Sequence, residues 1–121
     1  MANTFKVVNF AAEPASAGTP YVMYTAASST TTVVLGLILS NIHTSQVTAT
    51  VRLVSDTANR AVTNNTANGT SIIVKDAPIP ASSALELMSG NKVVLETTDQ
   101  ITIDCSTADK LSGTLSIMEI T

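Results

Sequence analysis

His43, Cys105 and the carboxylates Glu86, Glu96, Asp99 and Asp104 are the side chains of this 121-residue chain whose types could do chemistry. His43 is its one histidine and could serve as a general base or a metal ligand. A metal site needs several such ligands, and the chain offers no second His and one Cys, so a polar loop residue is expected. A nucleophilic Cys105 would need an activating base or a helix N-terminus, and neither lies nearby in sequence. Its alignment with Ile101 and Ile103 predicts a small buried hydrophobe instead. The carboxylates could pair for glycoside hydrolysis, which requires opposed acids in a cleft supported by aromatics. Glu96 and Asp99 bracket a turn, so Asp99 is expected to accept from backbone amides there. The acidic spacing does not match an EF-hand loop. There is no Gly-rich phosphate loop, nucleophile elbow or paired-cysteine motif, so no enzyme, cofactor or metal is expected.

The elements that would position these groups read as strands. Hydrophobic residues make up 45% of the chain but aromatics only 3%, which predicts an aliphatic core. Ser and Thr supply about a quarter, and β-branched Thr and Val suit a pleated sheet better than a helix. Strands are predicted at Phe5–Phe10, Tyr21–Thr25, Thr31–Ile42, Val47–Ser55, Thr70–Lys75, Leu85–Met88, Lys92–Thr97, Gln100–Ser106 and Ser112–Ile120. In the third, Val33, Leu35, Leu37 and Leu39 are expected on one face and Val34 and Ile38 on the other, with Gly36 suggesting a bulge. A strand apolar on both sides is central, or is covered outside by another subunit. Val47, Ala49, Val51 and Leu53 alternate with Thr48, Thr50 and Arg52, as on a half-buried strand. Asp76–Ser83 reads as a crossover loop, and Ser89-Gly90-Asn91 as a hairpin-like connection. The fold class is therefore all-β: a single antiparallel β-sandwich over residues 1–121, jelly-roll or Ig-like, with eight or nine strands. Residues 1–10 are expected to form an N-terminal arm or edge strand, and 56–69, dense in Asn and Thr, a protruding loop.

Charge narrows the function classes. Charged residues are 12% of the chain and the net charge is −3, with six Lys plus Arg scattered singly. That provides no basic face for nucleic acid, and two Phe and two Tyr offer little to stack on bases or sugars. The apolar run Val33–Leu39 is too short to span a bilayer. The opening MANTFKVVNF shows no basic segment followed by an apolar one, so no secretory signal is read there and a soluble protein made in the cytoplasm is expected. Asn64-Asn65-Thr66 and Asn68-Gly69-Thr70 match glycosylation acceptors, read here as products of composition. The residues expected to touch a protein partner are Phe5, in the N-terminal segment, and Arg60, Asn64, Asn65 and Asn68, in the long loop.

The segment from Pro78 carries a resemblance. It combines a Pro-led loop at Pro80, a strand at Leu85–Leu87, Gly90 before Lys92–Glu96, an Asp-led strand at Asp99–Ile103 and a closing strand at Leu115–Ile120. In this it resembles small β-rich virion structural proteins of tailed phages, especially marine and cyanobacterial ones. The resemblance implies a non-enzymatic component of the virion, first a capsid decoration or cement protein that stabilises the head by binding the major capsid protein. A neck, tail or fibre-associated protein is the alternative, and a carbohydrate-binding host-attachment module the third. The first two imply a homo-oligomer, with a trimer favoured, and no nucleic acid or membrane partner. The third would need exposed aromatics in one cleft, for which Tyr21 and Tyr24 are the candidates.

Overall fold

The computed structural model describes residues 2–55, 69–88 and 92–121. Among them are nine strands and no helix: β1 (Asn3–Glu13), β2 (Tyr21–Thr25), β3 (Thr31–Asn41), β4 (Val47–Ser55), β5 (Gly69–Ile79), β6 (Ala84–Leu87), β7 (Val93–Leu95), β8 (Gln100–Cys105) and β9 (Leu111–Ile120). No helix among the described residues is long and apolar enough to cross a membrane.

The strands pair as nested antiparallel partners. β1 pairs β9, β2 pairs β8, β3 pairs β6 and β7, and β4 pairs β5. The chain is thus one long hairpin whose successive pairs alternate between two sheets. Further pairing of β9 with β3 and of β8 with β4 joins those pairs into orders β1-β9-β3-β6 and β2-β8-β4-β5. This wiring is the jelly roll, and it decides between the two expected topologies. The first sheet is called A below and the second B.

Three features differ from the sequence expectations. The expected hairpin around Ser89-Gly90-Asn91 is not one. β6 lies beside Leu37–Ser40 and β7 beside Thr32–Val34, both antiparallel to β3, so they follow one another along the same side of β3 as an interrupted strand. Met88, with φ of 63°, opens the interruption, and residues 89–91 lie outside those described. The expected crossover loop at Asp76–Ser83 is strand as far as Ile79. A bulge opposite Ala49–Arg52, with Asp76 at φ of 49°, absorbs the irregularity, and Pro78 is tolerated because β5 is an edge strand. The bulge expected at Gly36 is present as a register shift between Val34 and Gly36. It also overturns the expected facing of β3, because an extra residue inverts the alternation beyond it. Val34, Leu37 and Leu39 are buried together, whereas Val33 and Ile38 lie on the outer face.

The core between the sheets is aliphatic, as the composition predicts. Val34, Leu37, Leu39 and Leu115 from sheet A and Val47, Val51, Ile101 and Ile103 from sheet B are each at most 1% exposed. Cys105 is a free thiol among them and is fully buried. The inner row Phe10–Gly113–Leu39 replaces a third side chain with an aromatic lid. A Cβ on Gly113 would sit 2.3 Å and 2.6 Å from Phe10 ring carbons and 3.2 Å from Leu39 Cδ2. The ring occupies the space a side chain would take, a known way of shielding glycine in a sheet. Phe10 also packs edge-on against Tyr21 of sheet B, with ring centroids 5.2 Å apart.

Candidate interaction face

The two outer faces of the sandwich differ in chemistry. On sheet B, Thr48, Thr50 and Arg52 of β4 and Thr102 and Asp104 of β8, with Ser106 just beyond it, lie on the outer side, following the alternation read from the sequence, although Thr50, Thr102 and Asp104 are themselves buried. Arg52 Nη1 donates to Asp104 Oδ2 at 2.5 Å, so that face is knit by an ion pair. Its exposed large apolar residues Val22 and Ile72 lie at opposite ends of the row Val22–Thr102–Arg52–Ile72, separated by polar side chains.

Sheet A carries an apolar row from one edge to the other. Phe5 is opposite Met118, Met118 opposite Val33, and Val33 opposite Val94. Directly paired residues share a face, so these four side chains stand on one side of the sheet. Phe5 is 71% exposed and Val94 54%, at the two ends of the row, and Val7, one step along β1, is 63% exposed. Ile38, 42% exposed, lies further along the same outer face, opposite Thr114 and Glu86. Single exposed apolar residues are ordinary on a protein surface, but a contiguous row characterises a contact surface.

Behind this row, on the inner side, a polar cluster ties the sheets together near β1. Tyr24 Oη of sheet B donates to Glu119 Oε2 at 2.6 Å and lies 2.8 Å from Thr32 Oγ1. Lys6 Nζ is 2.7 Å from Glu119 Oε1. Burial, and then the hydrogen bond to Glu119, push the Tyr24 hydroxyl up to about 12. Lys6 first, and Tyr24 second, hold the Glu119 carboxyl below its usual range. Lys6 is well exposed and Glu119 is not, so the cluster closes the end of the sandwich while leaving its cation at the surface.

The residues expected to contact a partner fall into two groups. Phe5 stands on β1 at the end of the apolar row. Arg60, Asn64, Asn65 and Asn68 lie outside the described residues. Val7, Val33, Met118 and Val94 complete the face with Phe5 and were not expected there. The alternation of Phe5 and Val7 against Lys6 contains the signal for Val7, whereas Val33 was hidden by the face inversion at Gly36.

Several of the residues considered for chemistry have structural partners. Asp99 Oδ2 accepts from the Glu96 N–H at 3.1 Å, the expected turn cap. Asp104 is held by Arg52, and Glu86 stands exposed on β6. His43 donates its backbone N–H to Asn41 Oδ1 at 2.7 Å, while Asn41 Nδ2 donates to the carbonyls of Ser45 and Ile79. Among the described residues no three His, Cys, Asp or Glu side chains group as they would around a metal ion. Tyr21 packs edge-on with Phe10, and the Tyr24 hydroxyl is engaged by Glu119 and Thr32.

No family model and no curated protein matches the chain. Among solved structures, a chain from Bacillus endospore appendages, described as a novel family of disulfide-linked pili, is similar over 99% of this chain and 87% of that one. The identity is 14% and the TM-score 0.48. Likeness of that degree carries no functional weight, since one fold serves many functions.

Proposed function

We propose that this chain is a non-enzymatic structural subunit of a multi-copy assembly, and specifically a capsid decoration protein of a phage virion. The observation that carries the assembly reading is the apolar row Phe5–Met118–Val33–Val94 on the outer face of sheet A. A neighbour seated there would remove Phe5 and Val94 from water, and each large apolar side chain buried contributes about 1.5–3 kcal/mol. The virion assignment rests on the sequence resemblance in the segment from Pro78. The outer face of sheet B, with Arg52 and Asp104 satisfied by each other, would then be turned toward solvent.

Quantitative mass spectrometry of purified virions tests this reading. Hundreds of copies per particle in fixed ratio to the coat protein are expected. A few to a few dozen copies would move the protein to the neck, tail or fibres, and absence from virions would refute the virion reading. Val94→Asp, which places a charge in the row without touching the core, is expected to lower particle binding at least tenfold while the melting temperature stays within a few degrees.

A further inference from the structure

Among the described residues the sandwich has several sheet edges, and all but one are blunted. β2 is five residues long, and β6 and β7 are four and three. β5 is long but carries Lys75, Asp76 at positive φ, Pro78 and two register shifts. Short length, charge, proline and bulges are the means by which proteins prevent edge strands from pairing with other chains. β1 is the exception. From Asn3 to Phe10 it keeps one unbroken register with β9, contains no proline, and has Lys6 as its single charge.

The direction of its backbone groups follows from the chain ends. Ala2 and Thr121 exchange both hydrogen bonds, N–H to carbonyl at 3.2 and 3.0 Å. Antiparallel pairs alternate between bonded and non-bonded, so Thr4, Lys6, Val8 and Phe10 bond to β9 in turn. Asn3, Phe5, Val7 and Asn9 therefore turn their N–H and C=O groups to the open edge. Among the described residues β1 is the terminal strand of sheet A and pairs only with β9. The residues offering free backbone groups thus include the two most exposed apolar side chains, Phe5 and Val7.

The four edge residues read Asn, Phe, Val, Asn at every second position, so their polar–apolar–apolar–polar pattern is the same in either direction. We propose that β1 pairs antiparallel with β1 of a second copy of this chain about a two-fold axis at Lys6. The pairing sets Phe5 opposite Val7, Val7 opposite Phe5, and Asn3 opposite Asn9 at both ends. It joins the two A sheets into one and carries the apolar outer row across both copies. Isologous contact of this kind needs a self-complementary patch, which the reversed pattern supplies. The two Lys6 residues meet on the other face, each in an ion pair with its own Glu119 at 2.7 Å, which tempers their repulsion.

The inference does not depend on the virion reading, because it is tested on the isolated protein. Sedimentation across about 1 μM to 1 mM, the range of a small and weak interface, is expected to show a monomer–dimer equilibrium. At high concentration, amide exchange is expected to slow at Asn3, Phe5, Val7 and Asn9, while Lys6 and Val8 are protected throughout. Val7→Pro removes an N–H that β9 does not use, and Phe5→Lys places a charge opposite the partner's Val7; each is expected to weaken dimerisation at least tenfold. If Val7→Pro fails to fold by circular dichroism, Phe5→Lys decides alone. A monomer up to 1 mM, a trimer, a dimer indifferent to the variants that fold, or protection that misses either Asn3 or Asn9 would each overturn the proposal.

Discussion

Gly113→Ala tests whether the Phe10 ring fixes the pairing of the first strand with the last. The added Cβ would lie 2.3 and 2.6 Å from ring carbons of Phe10, closer than carbon atoms pack, and 3.2 Å from Leu39 Cδ2. The ring cannot swing away freely, because it already packs on Tyr21 at 5.2 Å. Overpacking of this kind costs about 1–3 kcal/mol. For a chain of 121 residues that corresponds to about 4 °C in melting temperature per kcal/mol, hence a loss of about 4–12 °C. Phe10→Ala alone should cost about 2–3 kcal/mol, below the loss for a fully buried Phe because Phe10 is only partly buried. Together the two changes should not add. With the ring gone, the two closest obstacles to Ala at 113 are removed and the Leu39 methyl at 3.2 Å remains, while losing glycine from a strand gains about 0.5–1 kcal/mol. The cycle measured by urea unfolding should therefore show a coupling of about 2 kcal/mol. If Gly113→Ala cost the same with and without the ring, the steric account of this pair would be wrong.

Other substitutions probe the polar groups. Thr102 Oγ1 is buried without a hydrogen-bond partner among the described residues, so Thr102→Val is expected to be neutral or to stabilise by up to about 1 kcal/mol in thermal melts. Asn41→Ala removes three hydrogen bonds, two to the carbonyls of Ser45 and Ile79 and one from the His43 N–H, and should cost about 2–4 kcal/mol by urea unfolding. Tyr24→Phe loses a hydrogen bond to a carboxylate, worth about 1.5–3 kcal/mol at neutral pH by the same measurement.

Much of the fold was legible because period-2 alternation survives wherever a strand is regular. Leu115 and Ile117 on β9, and Ile101, Ile103 and Cys105 on β8, are buried as their spacing predicts. Reading stopped at the places where the backbone departs from alternation. At Gly36 one extra residue moves Val33 to the outer face, and with it a member of the apolar row. At Met88 a positive φ opens the break between β6 and β7, which a local reading takes for a hairpin. Long-range pairing was illegible for another reason. That Asn3 lies beside Ile120 is decided by the whole rolled hairpin and not by any local signal. The candidate face inherits that limit, because its four side chains come from four strands spread between Phe5 and Met118. The open edge of β1 likewise emerges only when every other edge has been located.

The Tyr24–Glu119–Lys6 cluster gives stability a defined dependence on pH. Tyr24 is raised to about 12 in the folded chain from its ordinary value of 10. Folding therefore favours the neutral hydroxyl, and its contribution is complete below pH 10 and lost as pH rises toward 12. Glu119 is shifted the other way, by Lys6 and then by Tyr24. Its contribution is present above the usual carboxylate range and disappears as pH falls through its lowered value. The expected profile is a plateau with both limbs traceable to one cluster. Tyr24→Phe should remove the tyrosinate absorbance step near pH 12, flatten the alkaline limb, and reduce the acid limb to the part due to Lys6. Lys6→Gln should reduce the acid limb while leaving the tyrosinate step in place, since burial is its leading cause. An alkaline limb unchanged in Tyr24→Phe would show that some other group governs stability there, and would remove this cluster as the tie between the two sheets.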